Sequence, residues 1–304
     1  MYVLNHRNRI ALTAAAAMLG GLSSQAANAE LQARDLDGNA STTEAFYDTA
    51  LNLTWVANGN LFKTQYDANP NIIQDMIAGA PVMPDQFSSD PSGNHVYTAD
   101  DWSDPNGAGS GTPGVNGAMN GFGANAWVSY LNSTQYGGVS SWTLPKVTPR
   151  NGTEFDFNSS GLYDGTTDSG YRIESTTNPL SHLYYVTLGN KAAVDLSGNE
   201  APGGGLLNSG PFTNLQNAGY WYGTAAPTDP FTSWFFSNFD GSANASGDNL
   251  FSVNFALAVA AGDVAAGPGG PGPAPVPVPA AVWLLSSALA GLGILGRRKT
   301  APVA

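Results

Sequence analysis

The 304-residue chain contains no cysteine. Disulfides, thiol nucleophiles, thiolate zinc sites and iron–sulfur clusters are therefore excluded. Charge is also scarce, at 11% of residues against roughly 25% in an average soluble protein. The deficit is greatest on the basic side, with 11 Lys and Arg against 23 Asp and Glu. Phosphate would be repelled overall, so no nucleic-acid partner is expected. Only His95 and His182 lie beyond residue 29, too few for a histidine-built zinc centre. The chain carries no Gly-x-Ser-x-Gly elbow. No fixed-period repeat is present, and glycine lacks the three-residue period of collagen. What is present is 37 glycines, 20 prolines and 11% aromatics. That combination describes a turn-rich chain with ample material for a core, not a disordered one.

Both ends read as addresses. Residues 1–29 have the order of a secretory signal peptide: Arg7 and Arg9, an apolar run over 10–22, then Ala27-Asn28-Ala29 as a small-x-small cleavage site. At the other end, 266–279 is a Pro/Gly-rich linker suited to extended polyproline geometry. Residues 280–296 carry no charge, and as a helix at ~1.5 Å per residue they span about 25 Å, the short end of a membrane crossing. Arg297, Arg298 and Lys299 follow within the basic end 297–304 and would stay on the cytoplasmic side. Residues 30–265 are then an exported domain, held on the periplasmic side of the inner membrane before processing. That domain and its linker carry six basic and all 23 acidic residues, a net charge of −17. Such a charge favours solubility and disfavours anionic lipids and strongly sulfated polymers.

Within the domain, alternation around Phe46-Tyr47-Asp48 and Leu53-Thr54-Trp55 predicts a hairpin. Residues 64–123, rich in Asp, Asn, Gly, Ser and Pro, read mostly as a loop insertion. Trp127, Val128 and Leu131 share one face of a helix expected over 124–133, ended by a Gly-rich cap at Tyr136-Gly137-Gly138. A second helix is expected over 180–188, after Pro179, with Leu183, Tyr184 and Leu188 turned inward. Strands are expected at 220–224, 233–239 and 250–259.

Two resemblances follow from these patches. The tail Val276-Pro277-Val278-Pro279-Ala280-Ala281-Val282-Trp283-Leu284, closed by Arg297-Arg298-Lys299, resembles the PEP-CTERM class of bacterial sorting signals, in its Val-Pro-x-Pro-Ala variant. The resemblance implies Sec-type export, a signal peptidase, and recognition of the tail by an exosortase-type membrane protease. It places the product at the cell surface or in an exopolysaccharide matrix.

The body, over about 46–264, resembles the Lcl C-terminal (collagen-like adhesin C-terminal) domain family. The resemblance rests on Tyr136-Gly137-Gly138 with Trp142-Thr143-Leu144-Pro145, on His182-Leu183-Tyr184-Tyr185, on Gly210-Pro211-Phe212-Thr213-Asn214-Leu215-Gln216 and on Tyr220-Trp221-Tyr222-Gly223-Thr224. It implies an α+β, C-type-lectin-like domain with short helices, small antiparallel sheets and long loops. The family's usual arginines are replaced here by Thr143 and by Ala260-Ala261, which removes either groups for an anionic ligand or structural partners of carboxylates.

Among chemical sites, Asp35, Asp37 and Asn39 place oxygens at alternating positions, as calcium loops do, although the EF-hand pattern fails at Ala40 and Phe46. Asp100, Asp101 and Asp104 form a second oxygen cluster, and His182 reads as a structural hydrogen-bonder. Carboxylate pairs such as Glu154 with Asp156, or Asp240 with Asp263, carry little weight among so many acids. Sugars stack on aromatic rings beside amide and carboxylate groups, which singles out Tyr222, Trp234 and Asp240 as ligand-binding candidates. The expectation is a non-enzymatic module binding polysaccharide or another matrix component. A purely structural matrix protein is the alternative, and an unrecognised hydrolase a more distant one. No cofactor is expected beyond calcium.

Overall fold

The structure, a computed structural model, describes residues 31–105, 111–227 and 229–264. The signal peptide, linker, membrane helix and basic end expected from the sequence lie outside the described residues. Among the described residues no helix is long and apolar enough to cross a membrane.

The architecture is α+β. Strands β1 (Leu31–Arg34), β2 (Ala45–Asp48) and β3 (Leu53–Val56) form an antiparallel meander, and β7 (Val259–Ala261) completes the sheet beside β3. The expected hairpin is β2–β3, with Phe46 opposite Trp55. Its turn is built by Asp48, whose Oδ1 accepts from the amides of Ala50 and Leu51, and by Asn52 at φ +52°. The two ends of the domain thus meet in one sheet. Arg34 seals that closure with two hydrogen bonds, 2.6 and 2.7 Å, to the carboxylate of Asp263.

The second sheet is the meander β4 (Gly219–Ala226), β5 (Asp229–Ser237) and β6 (Ser242–Asp248). The strand expected at 233–239 begins earlier, and β6 arises from a sequence, Ser-Ala-Asn-Ala-Ser-Gly-Asp, without strand propensity. Pairing with β5 makes it a strand. The run expected as a strand over 250–259 is mostly irregular: Asn254 and Phe255 make single bridges to Met119 and Tyr220, and only β7 is regular.

Helix α3 (Gly121–Ser133) and helix α4 (Pro179–His182), which continues as a π turn over Leu183–Thr187, match the two expected helices. Asn120 caps α3 by accepting from the amide of Gly123. A Cβ at Gly123 would sit 2.6 Å from the Asp101 carbonyl oxygen, so only glycine permits this approach. After α3 Gln135 is the first left-handed residue, at φ +50°, and the expected Gly137 and Gly138 follow at φ +62° and +72°.

The segment 64–123 departs most from expectation. It opens with the end of helix α1 (Leu61–Ala68) and holds helix α2 (Ile72–Ala78), so it is not simply a loop. Leu61, Phe62, Ile72, Ile73 and Met76 are buried in the core, and Gln65 accepts from the Trp127 indole at 2.8 Å, tying α1 to α3. These helices are two turns long and surrounded by polar turn formers, which masked their periodicity.

All six tryptophans among the described residues, Trp55, Trp102, Trp127, Trp142, Trp221 and Trp234, are buried in one core. Asn132 holds Trp142 from both sides of its backbone, donating to its carbonyl at 2.8 Å and accepting from its amide at 2.7 Å.

The Arg34–Asp263 pair is half-buried and bidentate. Arg34→Ala and Asp263→Ala should each lower the unfolding free energy by about 1–2 kcal/mol. The double variant should lose clearly less than the two losses added, measured by urea denaturation. Strict additivity would show that the pair does not couple.

Candidate functional site

The aromatic candidates are not accessible. Tyr222 is 1% and Trp234 0% exposed. Strand β4 is covered on both faces, so Tyr220, Trp221 and Tyr222 are buried in succession. The Tyr222 hydroxyl donates to Asn178 Oδ1, and burial pushes its pKa well above the ordinary phenol value. Trp234 is overlaid by Phe155 and Phe157, ring centres 5.0 and 5.5 Å away. A sugar ring cannot stack on either side chain in this fold, which corrects the sequence expectation.

Asp240 lies half-buried in the turn between β5 and β6. Its Oδ1 accepts from the Ser242 amide at 3.1 Å and hydroxyl at 2.8 Å, and its Oδ2 accepts from Tyr171 at 3.1 Å. The carboxylate shapes the turn.

Around the first acidic loop, Asp35 accepts from Gly38 at 2.7 Å, Asp37 from Asn39 at 2.8 Å, and Asn39 from Ser41 at 3.2 Å. Oxygens of Asp35, Asp37 and Glu44 fall within 4.8 Å of one another, a spacing that can hold a cation. Glu44, just ahead of β2, joins Asp35 and Asp37 in this grouping. Asp100, Asp101 and Asp104 do not converge. Asp104 accepts from Asn116, and Asp101 is engaged elsewhere.

That engagement is a buried Asp–His–Asp arrangement that the sequence reading missed. His95 Nδ1 lies 2.8 Å from Asp85 and Nε2 3.0 Å from Asp101. The imidazole stacks on Phe122 of α3 at 3.7 Å and 5°. Asp101 also accepts from Asn120 at 2.7 Å and from the Thr98 amide at 2.9 Å, so the cluster ties the 81–103 segment to the start of α3. Burial opposes protonation of His95, but its hydrogen bonds to Asp101 and Asp85 outweigh this and raise its pKa. Both ring nitrogens face carboxylates, which suits an imidazolium and leaves neither free as a general base. His182 differs: its Nδ1 lies 2.6 Å from the Glu174 carbonyl, while its buried Nε2 has no hydrogen-bond partner.

A strongly exposed aromatic ring beside a groove is Phe239, on the tip of the β5–β6 turn. Phe239 is 66% exposed and Leu207 74% exposed, and both border an open groove of about 470 Å³. Glycine backbone over 203–205 floors it, and Asn217 and Glu200 supply polar groups. No Lys or Arg lines it among the described residues. The turn is tightly held: Gly241, at φ +86°, donates to Ser237 at 2.7 Å, and Asn238 donates to Ala218 and Gln216, both at 3.0 Å. Ala193 donates to the Asp240 carbonyl at 2.9 Å, and Tyr185 to the Gly241 carbonyl at 2.6 Å. The available signal was Asn238-Phe239-Asp240-Gly241, an aromatic set among turn formers, which a tight hairpin turns outward.

Thr143 and Ala260 are close together. Thr143 is exposed and pairs with Val259 through amide bonds of 2.7 and 2.8 Å, and Ala260 beside it is fully buried.

No family model matches the chain, and neither a curated protein nor a solved structure matches it.

Because the folded pKa of His95 is raised, its stabilising contribution is complete below about pH 6.5, the unfolded value, and is lost as pH rises through the folded value. Urea midpoints measured from pH 5 to 9 should show this fall for the native protein and not for His95→Gln. His95→Ala should cost about 3–5 kcal/mol at pH 6, since two buried carboxylates then face each other unpaired. A pH-independent difference between native protein and His95→Gln would overturn the assignment.

Proposed function

We propose that this chain is an exported, non-catalytic module of the cell surface or extracellular matrix that binds a neutral polysaccharide. The observation that carries the reading is Phe239: a solvent-exposed ring, fixed on a hydrogen-bonded turn, beside a groove with amide and carboxylate groups. The apolar C–H face of a pyranose stacks on such a ring, and its hydroxyls find Asn217, Glu200 and glycine backbone within the groove. A fixed platform limits the ordering cost of binding.

Charge supports a neutral ligand. The exported part and its linker carry six basic residues against 23 acidic ones, and the groove adds Glu200 without a cation. The α+β body, with short helices, two small antiparallel sheets and long loops, supports the C-type-lectin-like reading. In this proposal the N-terminal segment directs Sec-type export and is removed by signal peptidase. The membrane helix at 280–296 then presents the tail to an exosortase-type protease.

The test is saturable retention of the full chain on the exopolysaccharide of the cells that make it. Phe239→Ala should weaken retention about tenfold, or ~1.4 kcal/mol, with an unchanged melting temperature. Phe251→Ala, which removes a comparably exposed ring elsewhere, should retain as the native protein does. Absence of saturable retention by folded native protein would sink the polysaccharide reading and leave a purely structural role ahead.

A further inference from the structure

The β5–β6 hairpin borders a second cleft. It holds about 380 Å³ at the far end of β6, between Phe157, Leu162 and residues 244–246. Phe157 is 44% exposed, and its inner face stacks on Trp234 at 24°. Like Phe239, it presents one ring to solvent from a fixed support.

The chain connects the two clefts. Gly170 pairs with Ala243 of β6 through two backbone hydrogen bonds of 2.8 Å. Antiparallel pairing places Ser169 toward Asn244, at the Phe157 cleft, and Tyr171 toward the β5–β6 turn. Tyr171 accordingly reaches Asp240, the neighbour of Phe239, and Tyr163 stacks on Tyr171 at 5.6 Å. Gly170 has φ +104°, and a Cβ there would collide with the Leu162 carbonyl, so the close pairing depends on glycine. From Ser242 to Ser246 is about 13 Å at ~3.3 Å per residue. That exceeds the length of a single sugar ring.

We propose that Phe157, the Tyr163–Tyr171 pair and Phe239 form one track along β6 that holds a linear neutral polysaccharide over several sugar units. The proposal rests on the polysaccharide reading above and adds the ligand's form: an extended polymer segment, gripped at two ends. No Lys or Arg lines either cleft among the described residues. Arg172, next to Tyr171, already donates from its guanidinium to the carbonyls of Tyr163 and Val194, so those donors are engaged within the domain. Burial foremost, and the Asp240 charge, push the Tyr171 pKa up to about 12, so the hydroxyl keeps its proton.

The test uses the full chain and the same exopolysaccharide, partially hydrolysed and separated by size, with affinity measured for each fraction. Affinity should rise with fragment length until the track is filled and then level off, gaining at least about tenfold over the disaccharide. Phe157→Leu keeps an apolar cover on Trp234 while removing the flat ring. This variant and Phe239→Ala should each lower the affinity of long fragments about tenfold, toward that of short ones. Affinity independent of length would overturn the track. So would native-like binding by Phe157→Leu alongside loss in Phe239→Ala, while leaving single-groove binding intact. Failure of the native protein to bind both the fragments and the intact polymer would overturn the underlying reading as well.

Discussion

The phenol of Tyr220 donates to the carbonyl of Gly59, 161 residues away, at 2.8 Å. The Trp221 indole does the same to Met119 at 2.9 Å, Tyr184 to Lys191 at 2.9 Å and Tyr185 to Gly241 at 2.6 Å. In each case a large apolar ring enters the core while its polar end satisfies a backbone carbonyl outside the regular strands and helices or at their edge. Each bond adds on the order of 1 kcal/mol net, but leaving the buried donor unmade would cost more. This coupling does for the chain what disulfides do in cysteine-containing domains. Loops that lack regular structure are pinned to the core, so their tips keep a defined position.

The acidic residues complete this arrangement from the loop side. Asp168 is buried and accepts from the amides of Arg150 and Asp156; Asp195 accepts from Ser197 and Asn199; Asp248 accepts from Leu250 and Phe251. Carboxylates used in this way replace the backbone partners that a strand or helix would provide. An acid-rich composition is therefore a consequence of long, ordered loops. The few basic groups follow the same logic: Arg34, Arg150 and Arg172 all bind acceptors within the domain.

Against this background the exposed rings stand apart. Most aromatic side chains are buried in the core, and the Tyr185 hydroxyl, bonded to the Gly241 carbonyl, also holds the β5–β6 turn. Phe239 is held out of the core by that turn, and Phe157 lies with one face on Trp234 and the other toward solvent. Their exposure is thus set by elements that are rigid for other reasons. In the proposed binding role, a surface built this way would need little rearrangement.

The sequence by itself determined the β2–β3 hairpin, α3 and the helix after Pro179. Each is encoded by periodicity and turn chemistry within a dozen residues. It also determined the net charge and the absence of thiol chemistry. Only the tertiary structure decided the rest. β6 is a strand because β5 pairs with it, α1 and α2 persist because Trp127 and the core cover them, and Glu44 joins Asp35 and Asp37 through the β1–β2 pairing. The same holds for the aromatics: Tyr222 and Trp234 read as well as Phe239 does for a ligand, yet two are buried and one is exposed. A ring's hydrophobicity is a property of the residue, but its accessibility depends on which distant segments pack over it, and no local pattern records that.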